Sequence, residues 1–302
     1  MPKKKATKQE KEVLETYLLQ FLNLEKRYPL LPGIRNTESM AGLMGLTEEE
    51  LKENRTKFDQ NAKEAALELL EEEQVPAWID QLPFRSDDTI VALGDSLTDD
   101  LQGWFSILGY ALEMTVQGAD FTFVNSGVSY DTTTDAMRRL NRDLVAHDPD
   151  WVIVALGTFD AVRMNLTPDR SLVPLAEYWE NLNAIEDVVA ELTDNPVIWI
   201  SPPPVLHEML DDFRLFDFTI RNEDLLRYRE ILSGKKGYIV DPRGKRMGEE
   251  EPEAWNYLND GLHPSLSGHS NTVRSLLQVL AESKEVEGSS FEPPEDFDIT
   301  EQ

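Results

Sequence analysis

Cysteine is absent from the 302-residue chain. Disulfides and thiolate-bound metals are therefore excluded. Long apolar runs are missing too, since no window approaches the roughly 18 apolar residues of a membrane span. The N-terminus, MPKKKATKQEKE, carries lysines with no apolar stretch behind them and does not read as a secretory signal. The expectation is a cytoplasmic protein without membrane insertion. Positive charge is scarce: 29 Lys and Arg stand against 57 Asp and Glu, a net charge of −28. Such a field repels nucleic acid and anionic membranes, so neither is an expected partner. Lysine is also unevenly spread, with none between Lys63 and Lys235. The acidity fits ordinary solubility or a salt-rich cytoplasm. Unfolding at low and at molar salt separates the two.

The chain is long enough for one sizeable core and a smaller companion domain. Residues 1–86 read as a helical extension. Leu14, Leu18, Phe21 and Leu22 recur at helical spacing until Pro29 and Pro32-Gly33 interrupt. A second helix opens at Thr47, with Glu50 placed to complete a capping box. It continues through Leu51, Phe58, Ala62, Ala66 and Leu69-Leu70. This region can serve as a lid, as an arm for a homo-oligomer, or simply as a packing appendage.

From residue 87 the pattern alternates. Short apolar runs at Thr89 to Leu93, Phe121 to Val124, Trp151 to Leu156, Val197 to Ser201 and Tyr238 to Val240 read as buried parallel strands. Helical stretches lie between them: Gly103 to Met114, Thr134 to Ala146, Leu175 to Leu192 and Asn222 to Leu232. Five alternations predict an α/β fold, a three-layer α/β/α sandwich with a parallel five-stranded sheet, over residues 87–281. Chemistry should then gather just beyond the C-terminal strand ends. Residues 282–302, acidic and rich in Pro, Ser and Gly, read as a disordered tail.

The strand ends carry the chemical residues. Gly94-Asp95-Ser96-Leu97 follows the first run, and a serine at such a turn exposes its hydroxyl at a helix N-terminus. Helix capping would explain it equally. Asn125-Ser126-Gly127-Val128-Ser129-Tyr130 follows the second run, and Gly157-Thr158-Phe159-Asp160 the third. Asp260-Gly261-Leu262-His263-Pro264 stands near the end. Its histidine can take a serine proton while the aspartate holds the ring. His147 reads as a helix-end residue, and His207 and His269 as loop or surface positions. Trp104 and Phe105 read as core, and Pro202-Pro203-Pro204 as the rim of a cleft.

Taken together these blocks closely resemble the SGNH (GDSL-type) hydrolase family. Gly94 to Leu97 matches its first block, Asn125 to Gly127 its second, and Asp260 to Pro264 its last. The resemblance implies that Ser96 is the nucleophile, His263 the general base and Asp260 the orienting carboxylate. It also implies backbone oxyanion donors from Ser96 and Gly127, no cofactor, no metal, and a small-molecule ester as substrate. Asp95, Asn125, Tyr130, Thr158 and Phe159 are the candidate lining of the pocket.

Two positions depart from the family pattern. Phe159 stands where an asparagine donor is usual, and loss of such a donor typically costs about 10²–10³ in turnover. Tyr130 stands where a glycine often follows Val-Ser. Three readings remain: an altered esterase with Phe159 in an acyl pocket, an esterase in which the Tyr130 hydroxyl or the Asn125 amide replaces the donor, and a catalytically silent binding protein. An acyltransferase, passing the acyl group to an alcohol, is a further alternative.

Overall fold

The computed structural model describes residues 13–213, 216–242 and 253–282. All five apolar runs become strands of one parallel sheet. In chain order the strands are β1 (Thr89–Gly94), β2 (Thr122–Gly127), β3 (Trp151–Ala155), β4 (Arg163–Met164), β5 (Ile198–Ile200), β6 (Phe218–Thr219) and β7 (Tyr238–Val240). The sheet order is β2-β1-β3-β5-β7, while β4 and β6 form a separate antiparallel pair.

Alternation along a strand sends successive side chains to opposite faces. Val91, Leu93, Val152, Val154 and Trp199 enter one core with Tyr178, Leu182 and Ile185 of helix Leu175–Ala190 and with Ile231 and Leu232 of helix Asn222–Ser233. Ile90, Ala92, Trp151, Ile153, Ile198 and Ile200 enter the other. There they meet helix Trp104–Thr115 and helix Leu266–Glu282, and Trp104 and Phe105 are core residues. Both faces are covered, so the strands read as continuous apolar runs rather than alternating ones. Truncating a fully buried side chain such as Leu182 to alanine should cost about 2–5 kcal/mol.

The second N-terminal helix forms as expected, over Glu48–Leu70, with the Thr47–Glu50 capping box in place. Its apolar stripe is buried inside this same chain: Ala62, Ala65, Ala66 and Leu69 belong to the core on the second sheet face. Ahead of it, Leu14–Leu19 winds as a π-helical turn and Leu24–Arg27 as a short α-helix. The expected helix over Thr134 to Ala146 is instead broken into Thr133–Met137, Leu140–Asp143 and the 3₁₀ turn Val145–His147. Arg139 sits at the first break. Its guanidinium turns inward to donate to Asp131, Ser126 O, Asp143 and Gly94 O at 2.6–2.9 Å, and those bonds outweigh helical continuity. The expected tail, apart from Glu282, lies outside the described residues. Among the described residues no helix is long and apolar enough to cross a membrane.

Candidate active site

Ser96 opens the short helix Ser96–Asp99 directly after β1, and it is fully buried. Asp95 caps that helix, its Oδ1 accepting the Leu97 N–H at 2.9 Å. The Ser96 Oγ accepts the Tyr130 N–H at 2.9 Å. That contact depends on an unusual backbone, because Tyr130 has φ 65°. A bulky residue held in the left-handed region is strained by about 1–3 kcal/mol and persists only where its surroundings fix it. Asp131 supplies part of that fixing, bonded to both Arg27 and Arg139.

Gly127 does not present its amide to Ser96. The Gly127 N–H donates to Asn125 Oδ1 at 2.9 Å. Its lack of a side chain serves packing instead, since a Cβ there would meet Asp99 N at 2.5 Å. The Asn125 side chain is engaged as well: Nδ2 donates to Thr98 O at 2.7 Å, and Oδ1 accepts Lys26 Nζ at 2.9 Å. One of its two amide N–H groups is thereby used.

The Asp260–His263 loop is tightly built. His263 Nδ1 donates to Asp260 Oδ2 at 2.7 Å, while Asp260 Oδ1 accepts the Leu262 and His263 N–H groups at 2.9 Å each. Gly261 makes this turn possible with φ 66°, where a Cβ would meet Leu206 O at 2.5 Å. Burial alone would raise the Asp260 pKa. The adjoining imidazole and the three hydrogen bonds outweigh burial and hold it below the usual carboxylate range. His263 is buried, and its Nε2 has no hydrogen-bond partner among the described residues.

Aromatic rings join the two sides. Tyr130 packs edge-on to Phe159 at 5.3 Å, Phe159 meets Phe218 at 6.4 Å, and Phe218 stacks on Phe216 at 4.6 Å. Phe216 lies 6.2 Å from the His263 ring. Phe159 is buried, so its phenyl is a wall and donates nothing. The neighbouring Asp160 accepts the Thr133 N–H and hydroxyl, yet burial pushes its pKa up to about 7. Thr158 and Asp95 face a different space: with Pro202, Pro203 and Trp104 they line a cavity of about 330 Å³ beside the strand ends. Burial raises the Asp95 carboxyl well above its ordinary pKa.

Among the other histidines, His147 and His207 are exposed. His269 is not a surface residue, as its position in the sequence suggested. It is buried in helix Leu266–Glu282 and donates from Nε2 to Asp100 Oδ2 at 2.9 Å. Sequence reasoning also missed Tyr17, Lys26 and Arg27, and took Phe21 only as a helical repeat. All four reach the site. The Phe21 ring lies 4.2 Å from that of His263. Lys26 donates to Asp99 and Asn125, and Arg27 to Asp131.

A parallel three-layer sheet with a serine, a histidine and an aspartate gathered at its strand ends is the architecture of SGNH-type hydrolases. The chain belongs to the GDSL-like lipase/acylhydrolase family, whose model matches residues 92–270. Among curated relatives it is 36% identical over 84 residues to an arylesterase of Vibrio mimicus, covering 26% of this chain and 41% of that protein. It is 29% identical over 143 residues to the GDSL esterase/lipase WDL1 of Oryza sativa subsp. japonica, covering 45% of this chain and 55% of that one. The chain thus spans about half the length of these two relatives or less. An acetylxylan esterase of Geobacillus stearothermophilus is 25% identical over 65% of this chain and 94% of its own. Solved structures agree on the fold. LAE5, an α/β hydrolase enzyme from the metagenome of Lake Arreo, Spain, superposes with a TM-score of 0.51 at 22% identity, covering 66% of this chain and 99% of its own.

Proposed function

We propose that this chain hydrolyses carboxylic esters of small acyl groups through an acyl-Ser96 intermediate. One observation carries the reading. A buried serine accepts the Tyr130 N–H at one end of a run of aromatic contacts, and at the other a buried histidine, held by an aspartate, leaves Nε2 unpaired among the described residues. In the resting state the Ser96 hydroxyl occupies the place an oxyanion would take. Rotation toward His263 Nε2 frees the Tyr130 N–H and lets the imidazole receive the serine proton. Oγ then attacks the ester carbonyl. The oxyanion is met by the Tyr130 N–H and by the Ser96 N–H, which lies at the start of a helix and outside its hydrogen-bond ladder. Asp260 stabilises the imidazolium. His263 returns the proton to the leaving alcohol and then activates a water that releases the acid.

Tyr130 rather than Gly127 is therefore the second backbone donor in this reading. Phe159 leaves the hole one donor short, and it narrows the acyl side with its ring. The acetylxylan esterase among the relatives is consistent with a short acyl group.

A chain-length series of p-nitrophenyl esters with the wild type and Ser96→Ala tests the proposal, together with a fluorophosphonate probe. Turnover falling with acyl length, and probe labelling lost in Ser96→Ala, is expected. A folded wild type that neither turns over nor takes the label would favour the second reading, a silent binding protein, which Phe159 favours. Added alcohol acceptors reveal acyl transfer in the product ratio.

A further inference from the structure

The family match begins at residue 92, yet the His263 ring is contacted by residues far upstream. Phe21 is 1% exposed and lays its ring on the His263 imidazole, with centroids 4.2 Å apart and planes at 40°. Tyr17 stands edge-on to the same imidazole at 6.4 Å and packs on Phe213 at 5.0 Å. The Asp260 carboxylate lies near enough to the Tyr17 phenol to add to burial in raising its pKa.

The segment behind these rings is tied to both loops that shape the site. Toward the serine helix, Gln20 Nε2 donates to Asp100 Oδ2 at 2.8 Å, and Asn23 Nδ2 donates to Asp99 Oδ1 at 2.7 Å. Lys26 Nζ bonds Asp99 Oδ1 at 2.7 Å as well. Toward the loop after β2, Lys26 donates to Gly127 O at 3.2 Å, Arg27 to Ser129 O at 3.1 Å, and the Ser129 hydroxyl to Phe21 O. Most of these groups are buried, and a buried donor or acceptor left without its partner is costly. An element that only filled space would not need so many polar ties to two catalytic loops.

We propose that Tyr17 and Phe21 are positioning residues for the Asp260–His263 pair, so that the N-terminal segment from Tyr17 to Arg27 is part of the catalytic site. This rests on the reading of His263 as general base. Phe21 packs against the imidazole and fixes its plane, keeping Nε2 directed toward Ser96. In the proposed arrangement the Tyr17 hydroxyl donates to Asp260, which holds the carboxylate in its rotamer and shares its charge between phenol and imidazole. The groups that face the pair electrostatically are Tyr17 from this segment and Tyr130 from the loop after β2. Burial, and after it the Asp260 carboxylate, push the Tyr17 phenol above its ordinary pKa, so it stays a donor throughout the working range.

Three variants of the full chain test this: Tyr17→Phe, Phe21→Ala and Phe21→Leu. The readouts are kcat and KM for p-nitrophenyl acetate, and the titration of the His263 ring followed by NMR. Phe21→Ala should lower kcat roughly tenfold or more with KM little changed, because a misplaced base costs the chemical step. Phe21→Leu, which restores apolar cover, should recover most of that loss. Tyr17→Phe should raise the His263 titration midpoint by roughly half a unit, since the imidazole then faces the whole Asp260 charge. Folded Tyr17→Phe with an unmoved midpoint and wild-type kcat overturns the proposal, whether or not Phe21→Ala folds. A wild type without turnover defeats the esterase reading, while the ring titration still decides the positioning of His263.

Discussion

Two buried aspartate–histidine pairs lie among the described residues, and they are placed differently. In one, Asp260 accepts from His263 Nδ1 and leaves Nε2 unpaired. In the other, Asp100 accepts from His269 Nε2 and leaves Nδ1 unpaired. Chemistry and burial are nearly the same. Position differs: the first pair lies against the rings of Phe21, Tyr17 and Phe216, whereas the second sits between helix Leu266–Glu282 and the serine loop, with Gln20 also on Asp100. The first free nitrogen has a hydroxyl to serve in the proposed mechanism, and the second has none. A carboxylate–imidazole pair therefore marks a site only when a reacting group shares its space.

Removing each imidazole separates the pairs most sharply. His263→Ala should reduce kcat by about 10⁴-fold or more, the usual scale for a general base acting as one unit with its nucleophile. His269→Ala should keep kcat within roughly tenfold, but lower stability by about 2–4 kcal/mol, because Asp100 stays buried with fewer donors. Steady-state kinetics beside urea unfolding reads both. Equal losses of turnover in the two variants would break the comparison.

The next effect concerns what the working pair acts against. Phe159→Asn places an amide where the phenyl ring stands and should raise kcat for p-nitrophenyl acetate at least tenfold. Removing a buried ring, and burying an amide instead, should cost about 2–4 kcal/mol of stability. An unchanged kcat in folded protein would mean that no donor is missing.

A third carboxylate, Asp160, shows how burial acts when no cation answers it. Asp260 is held below the ordinary range by its imidazole, but burial carries Asp160 up to about 7 against the neutral hydrogen bonds of Thr133 and its own backbone. Its folded pKa exceeds the unfolded value of about 3.9. Between about pH 4 and 7 the folded state holds a proton that the unfolded chain has lost, so this group's stabilisation is full below 4 and disappears as pH climbs to 7. Asp160→Asn, which cannot ionise, should unfold at a higher Tm than the wild type at pH 8 and show no such advantage at pH 4. Parallel pH dependence of the two melting curves would remove Asp160 as the cause.

Much of the fold and part of the site are legible in the sequence. Each of the five strands is a short apolar run with a chemical block at its end, and a parallel sheet buried on both faces requires such runs. Asp260 and His263 can be paired because a three-residue offset on one loop confines them to a neighbourhood. Asp100 and His269 cannot, being 169 residues apart and joined only by the packing of the last helix. The engagement of the Gly127 amide escapes the sequence for a similar reason: its N–H is claimed by Asn125 Oδ1, a side-chain choice that leaves no pattern in the chain. The helical repeat around Phe21 carries no sign that one of its members ends against an imidazole. Contacts between distant segments leave no periodic trace.

The smallest expected effect tests the donor assignment itself. If the Tyr130 backbone supplies the hydrogen bond, the side chain is dispensable to chemistry. Tyr130→Gly and Tyr130→Phe should then both keep kcat within about threefold, a range in which an oxyanion donor cannot be lost. Glycine adopts φ 65° without strain, which returns about 1–2 kcal/mol. Loss of a partly exposed ring that packs on Phe159 offsets some of that gain. The net change in stability should therefore be small, and Tyr130→Gly should be the mildest of these variants despite its place beside Ser96. A tenfold or larger fall in Tyr130→Phe would instead assign the donor to the phenolic hydroxyl. The strained backbone at Tyr130 would then be serving to aim a side chain, and the amide contact to Ser96 would be a feature of the resting state alone.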